Sequence, residues 1–169
     1  MKYTIAALNA LNPADFVKLL GGVYEHSPWV AERAYPARPF ADREALLTAM
    51  CDSLAQASYE EQLALIRAHP DLAGKAALRG ELTAASTNEQ ASAGLDQCSP
   101  EELARFHDLN TRYKDRFEFP FIMAVKNATR QQILGGFETR LHNSKSEEFA
   151  MALSQINRIA MFRVNDLIL

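Results

Sequence analysis

Three side chains have the types and settings for acid–base and anion chemistry: His69, Glu89 and Arg163. His69 precedes Pro70, and proline pushes the residue before it out of helical angles, fixing the turn in which the imidazole sits. An imidazole titrates near neutrality and can give or take a proton. The competing reading is a helix-terminal histidine at the negative end of the dipole, and position alone favours it. Glu89 follows Ser86 by three residues, which is the spacing of a capping box. On that pattern alone Glu89 is a cap before it is a catalyst; a chemical role requires it to face His69 across the intervening segment.

Arg163 carries more information. In the C-terminal region the apolar stripe steps through Ile156, Ile159 and Ala160, then Arg163, then Leu167. The guanidinium therefore starts from the buried face, where an unpaired charge is expensive. Arg158, about 200° around from Ile156 at ~100° per residue, falls on the solvent side. A core-facing arginine needs an anion, either an internal carboxylate such as Glu89 or Asp71 or a bound ligand, unless it snorkels out to water. The other histidines, His26, His107 and His142, sit in no metal-ligand spacing with one another or with Cys51 and Cys98. No glycine-rich loop follows a strand pattern, and no G-x-S-x-G elbow occurs, so nucleotide and serine-hydrolase chemistry have no handle.

The elements that must position these groups read as helices. Asn12-Pro13, Ser27-Pro28 and Ser99-Pro100 each place a capping side chain before a proline at the first helical position. Ser58 with Glu61 and Ser99 with Glu102 have capping-box spacing, and Gly21-Gly22 reads as a stop for the helix begun near Pro13. Leu46, Leu47, Met50, Cys51 and Leu54 form one stripe, which makes Cys51 a buried small hydrophobe rather than a nucleophile. Leu103, Phe106, Asn110, Tyr113 and Phe117 form a second, interrupted by one amide. Phe149, Leu153, Ile156, Ala160, Val164 and Leu167 form a third, in a helix expected from about Ser146 onward. Residues 69–95 and 118–121 are the irregular stretches, where side chains project from an ordered scaffold. Alternating strand patterns are nearly absent. The expectation is an all-α, single-domain helical bundle of roughly seven to nine helices spanning residues 1–169.

Length and composition agree. The chain has 169 residues, 48% of them hydrophobic and 23% charged, enough for a sizeable core without staples. Eighteen basic against 21 acidic residues give a net charge of −3, which builds no field for a phosphate backbone, so no nucleic-acid partner is expected. No apolar run is long enough for a membrane span and the N-terminus does not read as a signal peptide, so no membrane partner and a cytoplasmic location are expected.

Taken in order, His69-Pro70-Asp71-Leu72-Ala73-Gly74-Lys75, Ser86-x-x-Glu89-Gln90 with Ala93-Gly94-Leu95, and Phe119-Pro120-Phe121-Ile122 resemble one family. It is 2-oxo-4-hydroxy-4-carboxy-5-ureidoimidazoline (OHCU) decarboxylase of uric acid degradation. The stretch from Gly21 to Trp29 and the helix bearing Arg163 are similar to it as well, so the resemblance spans nearly the whole chain. One departure is Glu118, where the family pattern has glycine before Phe-Pro-Phe. The resemblance implies an all-helical fold, a homodimer, no cofactor, and loss of CO₂ from OHCU to give (S)-allantoin. It implies His69 as proton donor with Glu89 and Arg163 as catalytic partners. Substrate contacts would come from Pro70, from Ser86, Thr87, Asn88, Glu89 and Gln90, and from Phe121, Ile122, Met123, Ala124 and Val125.

Those residue types suit that reaction. Decarboxylation leaves an electron pair on carbon, and without a cofactor the substrate must supply the electron sink. The protein then has to position, polarise and protonate. A bidentate guanidinium can clamp an oxygen, an imidazole can protonate one face, and Ser86 and Gln90 can pair with a ureido group. Two other classes fit the same residues. One is a helical interaction module with Arg163 simply paired inside; the other is a hydrolase of a related ureide with Glu89 activating water.

Overall fold

The computed structural model describes residues 1–169. Ten α-helices and two short 3-10 turns make up the ordered elements, and the one β-type pairing is an isolated bridge between Tyr3 and Ile168. The all-α expectation holds. Seven helices have eight residues or more; the others, α1 (Ile5–Asn9), α3 (Trp29–Ala34) and α6 (Lys75–Leu78), are too short to announce themselves by periodicity. The chain forms two compact units, residues 1–68 with 156–169, and residues 69–155.

The first unit contains α1, α2 (Pro13–Leu20), α3, α4 (Arg43–Ala55), α5 (Tyr59–Arg67) and the part of α10 (Lys145–Leu167) from Ile156 onward. Asn12 caps α2 by accepting from the Asp15 amide at 2.8 Å, and Ser58 with Glu61 forms the expected box on α5. Ser27 corrects the reading of its motif. Its hydroxyl donates to the Glu25 carbonyl at 2.9 Å, and α3 starts at Trp29 with no side-chain cap. Gly21 ends α2 without entering the left-handed region. What it supplies is room, because a Cβ there would lie 2.5 Å from the Val17 carbonyl oxygen. Leu46, Leu47, Met50 and Leu54 are buried as their stripe requires, whereas Cys51 is only half-buried and its thiol is pushed up by burial.

The second unit contains α6, α7 (Ala84–Ser92), α8 (Pro100–Phe117), α9 (Arg130–Arg140) and α10 up to Gln155. Ser99 with Glu102 boxes the start of α8, and Thr129 with Gln132 boxes α9. Phe106, Leu109, Asn110, Tyr113 and Phe117 form the buried face of α8. Tyr113 is its centre, with the rings of Phe117, Phe121 and Phe137 at 4.5, 5.3 and 6.2 Å. Phe121 stacks on Phe137 at 3.7 Å. Along α10 the buried positions are Glu148, Ala152, Ile156, Ala160, Arg163 and Val164, followed by Ile168. That seam differs from the predicted stripe at both ends, because Phe149, Leu153 and Leu167 are only half-buried.

Glu118 ends α8 in the left-handed region, with φ 63° and ψ 23°. A non-glycine residue there costs about 1–2 kcal/mol, the physical reason for expecting glycine at this position. Here the side chain turns outward to pair with Lys145.

Candidate active site

His69 lies just beyond Ala68, whose amide closes the last turn of α5 on the Ala64 carbonyl. It is buried, at 9% exposure, and opens a short loop to Gly74. Three side chains of the same unit hold that loop. Gln90 on α7 uses both ends of its amide: Oε1 accepts from the Ala73 N–H at 3.1 Å and Nε2 donates to the Asp71 carbonyl at 3.2 Å. Asn110 on α8 donates to the Leu72 carbonyl at 2.9 Å, and Lys114, one turn further, reaches the Asp71 carboxylate at 2.6 Å. The amide that interrupts the α8 stripe is thus one of the groups that anchor the His69 loop. The loop needs such fastening, because Ala73 has φ 50°, a conformation costly to any residue with a Cβ. Gly74 completes the turn, where a Cβ would sit 2.6 Å from that of Asp71.

Helix α7 supplies the next group of predicted residues. Thr83, not Ser86, is its N-cap, and the Thr83 hydroxyl accepts from the Ser86 amide at 3.2 Å. Glu89 therefore stands beyond the first turn, and the capping reading of Ser86-x-x-Glu89 is corrected. The sequence match misled because Thr83 offers the same capping chemistry three residues earlier, and tertiary contacts chose it. The buried residues of α7 are Ser86 and Gln90, both polar, one turn apart on one face, with Glu89 half-buried beside them. A helix whose inward face is polar lines something other than a hydrocarbon core. Thr87 and Asn88 are exposed, and the Thr87 hydroxyl donates to the Thr83 carbonyl at 2.9 Å. Gln90 thus ties the helix that carries Glu89 to the loop that His69 opens.

Residues 121–125 follow α8 without regular structure. Phe121, Ile122 and Val125 are buried, and Met123 and Ala124 are half-buried. The Ile122 carbonyl accepts from Arg140 Nη1 at 2.6 Å, and the Ala124 N–H donates to Gln155 Oε1 at 2.9 Å. Arg140 also lies over the Phe121 ring at 4.3 Å and donates through Nε to Glu148 at 2.8 Å. Glu148 is fully buried and collects two further donors, the Tyr113 hydroxyl at 2.5 Å and the Asn143 amide at 2.9 Å. Burial pushes the Tyr113 phenol far up, so it stays a donor. This network escaped the sequence reading, although Ile133, Phe137 and Arg140 share one face of α9 by spacing, the same signal that singled out Arg163.

Arg163 belongs to the first unit and is buried at 7% exposure, as its place on the stripe requires. An internal carboxylate meets it, and that carboxylate is Glu25, 3.0 Å from Nη2 and 2% exposed. Asp71 pairs with Lys114 instead. Nη1 of Arg163 donates to the Gly22 and Val23 carbonyls at 3.2 and 3.5 Å. Arg158 is exposed, as expected from its angle. No three His, Cys, Asp or Glu side chains gather as a metal site would require.

Compared with known proteins, the sequence pattern of the OHCU decarboxylase family matches residues 9–165. The chain belongs to the OHCU decarboxylase family. It is 43% identical over 166 residues to 2-oxo-4-hydroxy-4-carboxy-5-ureidoimidazoline decarboxylase of Halalkalicoccus jeotgali, covering 98% of this chain and 92% of that protein. It is 45% identical over 161 residues to the protein of the same name from Haloferax volcanii, covering 95% and 94%. Among solved structures, a crystal structure of (S)-allantoin synthase superposes with a TM-score of 0.79 at 31% identity, over 97% of this chain and 54% of that one. The family expected from the His69, Glu89 and Phe-Pro-Phe motifs is therefore the family observed.

Proposed function

We propose that this protein is a carboxy-lyase that converts OHCU to (S)-allantoin in uric acid degradation, with residues 1–169 acting as one OHCU-decarboxylase-like domain. Family membership over nearly the entire chain is the observation that carries the reaction. The bond to carbon dioxide breaks and its electron pair moves into the unsaturated system of the substrate, which serves as the sink. His69 then delivers a proton to one face of that carbon, so a single enantiomer results. Glu89 holds the hydroxyl and ring N–H groups of the substrate beside the departing carboxylate. Arg163 holds an anionic or carbonyl oxygen. Pro70, residues 86–90 and residues 121–125 supply the remaining contacts to the substrate. The fastening of the His69 loop to α7 through Gln90 supports these roles, because proton transfer demands a fixed distance between donor and acceptor.

The protein should act as a homodimer on this small molecule, with sedimentation velocity as the check. No helix is long and apolar enough to cross a membrane. Purified protein added to freshly generated OHCU should give optically pure (S)-allantoin, followed by circular dichroism, faster than spontaneous decay. Racemic product at the uncatalysed rate ends the proposal. His69→Ala and Glu89→Ala should fold normally and lose turnover by roughly 10²–10⁴-fold, the usual worth of a positioned acid or base.

A further inference from the structure

We infer that Arg140 and Gln155 are positioning residues for catalysis: together they hold the main chain of residues 122–124 in the geometry that receives the substrate. The inference rests on the assignment of residues 121–125 to substrate contact made above. Their bonds fall on alternate residues, Arg140 on the Ile122 carbonyl and Gln155 on the Ala124 amide. Between these two anchors the N–H and C=O of Met123, a half-buried residue, are engaged by no other protein group. One donor and one acceptor thus remain for a ligand on a segment that has no secondary structure to hold it. A ureide carries the complementary pair, an N–H and a C=O a few bonds apart.

The geometry of Arg140 supports a positioning role over a merely structural one. An arginine placed only to neutralise Glu148 would lie bidentate against the carboxylate. Arg140 instead gives Glu148 its Nε, turns Nη1 to the Ile122 carbonyl, and leaves Nη2 buried with no acceptor. A buried donor without a partner is unfavourable, and the orientation that leaves it so is the one that reaches Ile122. The second carboxylate oxygen of Glu148 is taken by Asn143, which holds the anion in place while the guanidinium is shared. Gln155 is half-buried and its amide oxygen serves Ala124, so it can be altered without opening the core.

The test is steady-state kinetics on OHCU with Gln155→Ala, Gln155→Glu and Arg140→Lys beside wild type, each with its melting temperature and with amide hydrogen exchange at Ala124. Gln155→Ala should raise KM about tenfold with kcat within about twofold, the worth of one hydrogen bond in binding. Gln155→Glu keeps an acceptor oxygen and should return KM to within about threefold of wild type. Arg140→Lys keeps the charge beside Glu148 but lacks the fork that reaches Ile122, and should raise KM by about tenfold or more. Exchange at Ala124 should accelerate in Gln155→Ala whether or not substrate is present. Unchanged KM in Gln155→Ala and Arg140→Lys, with only a lowered melting temperature, overturns the inference alone. A wild type that does not decarboxylate OHCU removes the reaction and this inference with it, while the exchange result still reports on the clamp separately.

Discussion

The two units each bury one arginine–glutamate pair, Arg163 with Glu25 and Arg140 with Glu148, and the pairs are built differently. Both arginines also donate to main-chain carbonyls of a non-helical segment, Gly22 and Val23 in one case and Ile122 in the other. Around Arg140 the anion is the hub: Glu148 takes the guanidinium, a phenol and an amide together. Around Arg163 the cation is the hub, spreading its two terminal nitrogens over a carboxylate and two carbonyls. A saturated anion makes a rigid bracket. A cation that gathers oxygens ties the Gly22–Val23 turn to the C-terminal part of α10.

That distinction can be broken by charge deletion, which has the largest expected effect on stability. Arg163→Met and Arg140→Met should each cost about 3–5 kcal/mol in urea melts, because each leaves a buried carboxylate without its guanidinium. Removing both charges in Arg163→Met/Glu25→Met should restore part of that loss, since no buried carboxylate is left behind although the Gly22 and Val23 carbonyls lose a donor. It should restore much less in Arg140→Met/Glu148→Met, where the Tyr113 hydroxyl and the Asn143 amide would still lack an acceptor. Equal recovery in the two pairs would erase the contrast. Turnover should stay low in the Arg163 double variant despite its partly recovered stability.

Tyr113→Phe sharpens the same point at lower cost. Losing one charge-assisted donor to Glu148 should destabilise by about 1.5–3 kcal/mol at neutral pH. The phenol also sets an alkaline limit. Its ionisation is raised well above 10 in the folded chain, so its contribution is intact below about pH 10. Above that the unfolded tyrosine ionises while the buried one does not, and stability falls as pH rises. Part of that fall should vanish in Tyr113→Phe; Tyr24, raised for the same reason, accounts for another part.

Away from the buried pairs the expected effects shrink. Glu118→Gly should raise stability by about 0.5–1 kcal/mol, since relief of the left-handed backbone outweighs an exposed ion pair with Lys145. Glu61 is the weakest probe. Arg33 and the Ser58 amide hold its carboxyl down at about 2, so its contribution is complete above pH 4.5 and disappears as pH falls through about 2. Glu61→Gln should therefore melt slightly lower than wild type at neutral pH and converge with it toward pH 2.

Much of the scaffold was legible residue by residue. The caps at Asn12, Ser58 and Ser99 fell where short-range chemistry put them, because a cap involves residues three apart. Ser27 and Ser86 failed for the converse reason. The Ser27 hydroxyl donates to the Glu25 carbonyl, and Thr83 caps its helix ahead of Ser86; sequence spacing ranks neither choice. The amide at Asn110 was visible as a break in an apolar stripe, yet its purpose, holding Leu72, lies 38 positions away.

The apolar periodicity, the prolines and the capping pairs were sufficient for an all-helical chain, and the order of its motifs for the family, since each is read within a few residues. Which carboxylate meets Arg163, and that Arg140 and Glu148 share a buried network with Tyr113, came from packing alone. Glu25 is 138 positions from Arg163, and a charge leaves no local mark of its distant partner. The cost of burying it without one is large, and only the folded chain shows how that cost is met.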